Sequence, residues 1–219
     1  MGIVVFSAGL TADNGVDVYV SGNRIRHVTE PAIDIRRIGG RAHVERNVAT
    51  TGNVVSTTIP GPEVIRVVNI GSYVIAHNSI VCEWPDPQAK GISVFSQVPQ
   101  WLEENAIVAD NEVTMSPPDQ FVGDLGAGID IRGFANGNVV TNNSVRGRAK
   151  AALFVEVFRG GVPDNNELIL NRFDGFDASD ADIVVGSGVT NTRIVGQGTL
   201  DDQGIGTVIV PLPSVRWKR

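Results

Sequence analysis

The sequence predicts an all-β chain wound as a single-stranded parallel solenoid. Three observations predict it: a strong excess of β-branched residues, a repeat with asparagine at a fixed place, and enough glycine and asparagine to turn every corner. The 219 residues include 33 Val and 19 Ile against 8 Leu and 2 Met. β-branched side chains are stiff at χ1 and fit a pleated surface better than a helix. No run of Leu, Ala, Glu and Lys at a 3.6-residue period appears, so long helices are not expected. One short helix is expected near Gln97–Asn105, where Pro99 opens a turn ahead of Glu103 and Glu104. The 25 Gly and 16 Asn supply positions with positive φ.

The repeat reads apolar-x-x-Asn-x-apolar, then a spacer, then a small residue with apolar-x-apolar. It runs Val20…Asn23…Ile25, Val44…Asn47…Ala49, Ile75…Asn78…Ile80, Val108…Asn111…Val113, Val140…Asn143…Val145, Leu168…Asn171…Phe173 and Val195…Gly198…Leu200. The second parts are AIDI from Ala32, VIRV from Val64, GISV from Gly91, GIDI from Gly128, ALFV from Ala152 and DIVV from Asp182. The spacing from one Asn position to the next is 24 to 33 residues, the length of one coil of a parallel β-solenoid. Coils hydrogen-bonded at about 4.8 Å would stack Val on Val and Ile on Ile in a dry interior. Asparagine at the corner would adopt the left-handed conformation itself and bond amide to amide up the column. In the last rung Gly198 would keep the backbone freedom without the amide. Insertions would leave the coil as loops near Thr50–Pro62, Glu83–Lys90, Gln97–Asn105 and Ser116–Leu125.

Composition excludes several function classes. Apolar residues make up 42%, charged ones 19%, and the net charge is −6, the balance of a folded domain rather than a disordered tail. No stretch approaches 18 apolar residues, so no helical membrane span is expected. The opening MGIVVFSAGL lacks the basic start of a signal peptide. An acidic chain with three lysines does not suit nucleic acid. The single cysteine, Cys82, excludes an intrachain disulfide framework and reads as a small apolar filler.

GNRIRHVTEPAIDI, DNEVTMSPPD…GAGIDI and TNNSVRGRAKAALFV resemble coils of the right-handed parallel β-helix of the pectate-lyase-like superfamily. The resemblance spans Ile3 to about Val210 and implies a right-handed parallel β-helix of about seven coils over residues 1–210, with 211–219 as a tail. Members of that superfamily cleave or bind polysaccharides, or serve as surface proteins with no reaction. None of the polygalacturonase or pectate-lyase signatures can be placed here: Asp201-Asp202 stands without companion His and Arg motifs. No catalytic residue is therefore carried over.

Within the second-part strands, the residue between two core positions is expected to face solvent. That rule assembles a lateral face from Asp34, Arg66 and Asp130, with Arg36, Arg132 and Glu156 two positions on, and Phe95 and Phe154 among them. Carboxylates, guanidiniums and aromatics on a flat, elongated face suit a saccharide chain, and Arg would clamp a uronate bidentately. Asp34, Arg66, Asp130 and Arg132 are the catalytic candidates, with Arg66 or Arg132 as the base of a lyase. Arg36, Phe95, Phe154, Glu156, Trp84 and Trp101 are the binding candidates. The two tryptophans fall in loops, to stack on sugar if exposed or pack the loop if buried. No cofactor is required, although the Asp pair would suit Ca²⁺. The same face also reads as a solvated wall of cross-strand Asp–Arg pairs, the surface of a non-catalytic assembly module. The acidic run Asp174, Asp177, Asp180, Asp182 matches no calcium-loop spacing, and His27, His43 and His77 hold different offsets from their asparagines. The chain begins inside a rung. It is therefore expected to be a piece of a longer protein, or to have that strand edge covered by an upstream domain or by an end-to-end homodimer. At the other end Pro211 and Pro213 blunt the edge.

Overall fold

The computed structural model describes residues 2–6, 17–28, 31–36, 40–51, 63–68, 70–97, 106–117, 119, 123 and 125–212. Residues 98–105 of the expected helix and loop near Gln97–Asn105, most of the loop Thr50–Pro62 and half of the loop Ser116–Leu125 lie outside them; the fourth loop, Glu83–Lys90, is irregular up to a strand that begins at Lys90. Among the described residues there is no helix, and the named strands pair only in parallel. They form a 12-stranded and an 8-stranded sheet, an arrangement compatible with a parallel β-helix.

Each of the first four repeats contributes one strand to each of three positions, and each strand pairs with its equivalent in the next repeat. The 8-stranded sheet runs β2 (Val18–Ser21), β5 (Arg41–Glu45), β8 (Ser72–Ala76), β11 (Ile107–Ala109), β14 (Val139–Thr141), β16 (Glu167–Ile169), β18 (Arg193–Gly196), β20 (Val208–Pro211). The larger sheet has two arms. One holds β3 (Arg24–Val28), β6 (Val48–Thr51), β9 (Ser79–Cys82) and β12 (Glu112–Met115). The other holds β1 (Ile3–Phe6), β4 (Ile33–Arg36), β7 (Glu63–Val68), β10 (Lys90–Ser96) and β13 (Leu125–Gly133). The 13-residue β15 (Ser144–Glu156) pairs with both β12 and β13 and so joins the arms. Beyond it lie β17 (Phe176–Val185) and β19 (Leu200–Asp202).

The register stacks like on like. Val20, Val44, Ile75, Val108, Val140, Leu168 and Ile194 form one buried column. Ile33, Ile65, Ile92, Ile129, Leu153 and Ile183 form another. Each such side chain is worth roughly 1.5–3 kcal/mol of burial. The last rung is one residue out from the sequence reading: Ile194, not Val195, continues the column. Gly198 is small because an added Cβ would sit 3.1 Å from Asp182 and Phe173.

Asn23, Asn47, Asn78, Asn111, Asn143 and Asn171 pile in one line. From each to the next, backbone N and Nδ2 both donate to the following Oδ1 at 2.9–3.0 Å. From Asn47 onward the other Nδ2 proton goes to a backbone carbonyl of the preceding rung, as Asn111 does to Ile75 at 2.8 Å. The positive φ, however, sits one residue earlier than expected, on Gly22, Arg46, His77, Asp110, Asn142 and Leu170. The corner divides two tasks: the predecessor takes the left-handed turn, and Asn, in ordinary backbone geometry, saturates the orphaned groups that the turn leaves. A second ladder, Asn138 to Asn166, repeats the device at another corner, with Gly137 and Asn165 as its left-handed predecessors.

Candidate functional site

The lateral face forms on β4, β7, β10, β13 and the end of β15, but it is not the solvated wall expected from alternation. Asp34 is 3% exposed, Arg66 9% and Asp130 0%. Long charged side chains on neighbouring strands fold over one another, so each excludes water from the next. Two residues that alternation placed elsewhere join the face: Glu63 and Lys90, 2% and 6% exposed. They do so because two consecutive residues turn inward just after them, Val64–Ile65 and Gly91–Ile92. Gly91 has to be glycine there, since a Cβ would lie 2.5 Å from Val113 Cγ1 and 2.6 Å from Gly128 O.

The charges form one continuous chain. Arg66 binds Asp34 bidentately, Nε to Oδ1 at 3.0 Å and Nη2 to Oδ2 at 2.6 Å, and Arg36 holds the same carboxylate. Arg66 Nη1 donates to Glu63 Oε2 at 3.2 Å, and Arg132 Nη2 to Glu63 Oε1 at 3.0 Å. Arg132 Nε lies 3.1 Å from Asp130 Oδ2. Lys90 Nζ donates to Asp130 Oδ2 at 2.6 Å and to Glu156 Oε1 at 3.1 Å. Four carboxylates thus face four cations. Burial pushes the Glu63 carboxyl up to about 7, against the opposing pull of Arg132 and Lys90. Burial likewise raises Asp34, with Arg36 pulling it back, and raises Glu156, helped by the Asp130 charge. Asp130 Oδ1 is buried with no hydrogen-bond partner.

At one end the chain opens into a cleft of about 310 Å³ lined by Lys90, Arg132, Lys150, Phe154, Glu156 and Phe158, with Pro87, Gln88 and Gly126 at its margin. The Arg132 guanidinium lies 4.4 Å from the Phe95 ring centre and 4.6 Å from that of Phe158. The two rings meet edge to face at 5.6 Å, so Arg132 is fixed by cation–π contact as well as by ion pairs. Lys150 is exposed and makes no hydrogen bond or ion pair with a described residue. Phe154 packs on Ala151, Ala181 and Val184.

Of the sequence candidates, Arg132, Phe154 and Glu156 meet at this cleft, with Phe95 beneath Arg132. Asp34, Arg36 and Arg66 lie at the other end of the ion-pair chain. Trp84 is 2% exposed and belongs to the core, so it packs its loop rather than offering a stacking face. Trp101 lies outside the described residues. Arg66 is held as a cation by bidentate contact with Asp34, which leaves it unsuited to accept a proton. Lys150 and Phe158 were missed because neither occupies a repeated outward position. Cys82 is fully buried, and burial pushes its thiol up to about 12, the value of an inert side chain. Among the described residues no group of three His, Cys, Asp or Glu side chains is placed to hold a metal ion. Asp182 instead accepts from Thr199 N and Oγ1, and Asp202 from Gly204 N and Thr207 Oγ1. No family model matches the chain, nor does any curated protein or solved structure.

Proposed function

We propose that the two sheets are the walls of a right-handed parallel β-helix of about seven coils, and that its lateral cleft recognises an acidic polysaccharide. One observation carries the functional reading: the unpaired Lys150 ammonium faces the same cleft as Lys90, Arg132 and two phenyl rings. Cations set among aromatic faces suit a sugar ring bearing a carboxylate. Recognition fits better than cleavage, because Asp34, Arg66, Asp130 and Arg132 are already committed to one another.

Titration of uronate and neutral oligosaccharides into the wild-type chain and into Lys150→Glu tests this. Uronates are expected to bind and neutral sugars not to, with Lys150→Glu weakening the uronates at least tenfold. Equal binding by Lys150→Glu, or no uronate binding with or without Ca²⁺, overturns it. Appearance of the unsaturated product in the same samples would move the reading from recognition to lyase.

A further inference from the structure

The ion-pair chain ends in the cleft on a carboxylate unlike the other three. Asp34, Glu63 and Asp130 are 3%, 2% and 0% exposed. Glu156, the last residue of β15, has a side chain 28% exposed and lines the cleft itself. Its two contacts are loose: Oε1 lies 3.1 Å from Lys90 Nζ and 4.0 Å from Arg132 Nη1. Both cations also hold a closer carboxylate, Lys90 on Asp130 at 2.6 Å and Arg132 on Glu63 at 3.0 Å. On the flank toward the next rung stands Gly186, where an added Cβ would come 3.7 Å from Glu156 Cβ, so no side chain at that position fences the carboxylate in.

Glu156 Oε1 therefore occupies the place that the carboxylate of an acidic sugar needs in order to meet Lys90 and Arg132 together. Two carboxylates do not share such a place, because like charges that close repel each other. Lys90 and Arg132 are 8% and 12% exposed on their side chains, so a ligand that removes Glu156 has to return a charge to them. A carboxylate does so, whereas a hydroxyl returns only a weaker hydrogen bond. With Glu156 withdrawn, the four cations of the chain exceed its carboxylates by one, and one ligand carboxylate restores the balance.

We infer that Glu156 is a built-in competitor: its carboxylate holds the ligand's place on Lys90 and Arg132, and an acidic sugar binds by displacing it. The inference rests on the reading of the cleft as an acidic-sugar site. Binding is then opposed by the Glu156 charge and eased by its protonation. Burial and the Asp130 charge raise the Glu156 carboxyl, so uronate affinity rises as pH falls from neutrality while the ligand carboxylate is still ionised. The charged groups around Glu156 are Lys90 of β10, Asp130 and Arg132 of β13, and Lys150, which lines the same cleft; Gly186 contributes none. Glu63 shares Arg132, and its carboxyl, pushed up to about 7, adds a slope of its own. Glu156→Gln leaves that slope in place, so the difference between the two proteins reports Glu156.

Calorimetric titration of a uronate oligosaccharide into wild type and Glu156→Gln, between about pH 7 and about pH 5, tests it. Lys90 keeps Asp130 and Arg132 keeps Glu63, so Glu156→Gln is expected to fold, with the thermal midpoint as the check. At the upper pH it is expected to bind the uronate about fivefold more tightly than wild type, the order of one like charge removed at about 4 Å in water. The gap is expected to narrow toward the lower pH, as wild-type Glu156 takes up its proton. Uronate binding that is unchanged in Glu156→Gln, or weakened because Glu156 accepts from sugar hydroxyls, overturns the inference and leaves uronate recognition standing. A gap that does not narrow with pH overturns it equally. No uronate binding by the wild type overturns the reading of the cleft and this inference with it.

Discussion

Two columns of buried polar side chains run along this molecule, and they are satisfied in opposite ways. The asparagine ladder repeats one residue, and each amide completes its neighbours because it is both donor and acceptor. In the lateral column no residue sits on its like. Asp34, Arg66, Glu63, Arg132, Asp130 and Lys90 answer each other by opposite sign. A ladder of identical groups is insensitive to which rung lies on which, since a slip by one coil puts Asn on Asn again. A column of unlike residues is not indifferent to a slip, because the same shift sets Asp34 opposite Ser93 instead of Arg66 and breaks the ion pair. The first column stabilises the stack, and the second specifies its register.

The largest effect is expected inside the ladder. Asn111→Ala removes the acceptor of Asn78 N and Nδ2 and the donor to Ile75 O, all buried. At about 1–3 kcal/mol per stranded group the loss is about 5 kcal/mol, read from the urea midpoint. Asn23→Ala, at the part-exposed end, is expected to cost under about 1 kcal/mol, because water replaces the amide. Equal costs at the two positions would mean that the ladder is not a buried unit.

Next comes the charged column, where the comparison predicts non-additivity. Asp130→Ala takes from the Lys90 ammonium, 8% exposed on its side chain, the nearer of its two carboxylates, and takes the same partner from Ser93 Oγ and Arg132 Nε; it is expected to cost about 4 kcal/mol. Replacing the pair together, Lys90→Met with Asp130→Leu, is expected to return stability to within about 1 kcal/mol of wild type. The double variant should then show its defect in folding fidelity, as misregistered or aggregated product on refolding, rather than in stability. A double variant as unstable as Asp130→Ala would remove the distinction between the two columns.

A third effect separates the columns by pH. The Glu63 carboxyl is raised from 4.5 to about 7 by burial. The folded state therefore holds this proton more tightly than the unfolded chain does. The contribution is fully present below about pH 4.5 and lost as pH rises to about 7. At 1.36 kcal/mol per pKa unit it is on the order of 3 kcal/mol. Asp34 and Glu156, also raised, act in the same direction. Denaturation of wild type and Glu63→Gln across this range is expected to show the steeper decline in the wild type, with the shallower remainder in Glu63→Gln coming from Asp34 and Glu156. The asparagine ladder has no proton to lose and contributes no slope.

What the sequence disclosed follows the same division. A column of one residue is visible as spacing, so Asn23 to Asn171 and the Val and Ile columns could be read from the chain. The alternating charges could not, because Glu63 and Lys90 sit ahead of a doubled inward step that breaks the two-residue period. Val64–Ile65 and Gly91–Ile92 shift the phase, and a reading by strict alternation points those two side chains the wrong way. Burial of the face was illegible for a related reason: it depends on long side chains from adjacent strands lying across each other, which spacing does not encode. The cleft was half legible, with Arg132, Phe154 and Glu156 in repeated outward positions and Lys150 and Phe158 outside them. The second ladder did leave a signal, an asparagine five residues before the main one in two successive rungs, Asn138 before Asn143 and Asn166 before Asn171.

The smallest effect tests the division of labour at the corner. If the ladder asparagine and the left-handed residue before it have separate tasks, the predecessor should be improvable without touching the ladder. Leu170 has φ 53° and is 43% exposed. It holds a left-handed backbone at a cost of roughly 1–2 kcal/mol and buries little in return. Leu170→Asn, suited to that conformation, is therefore expected to raise stability by about 0.5–1 kcal/mol, read as a rise in thermal midpoint. Asn171→Leu beside it should destabilise instead, by stranding Asn143 N and Nδ2. A stabilising Asn171→Leu, or a destabilising Leu170→Asn, would return the turn to the asparagine and undo the separation on which the ladder reading stands.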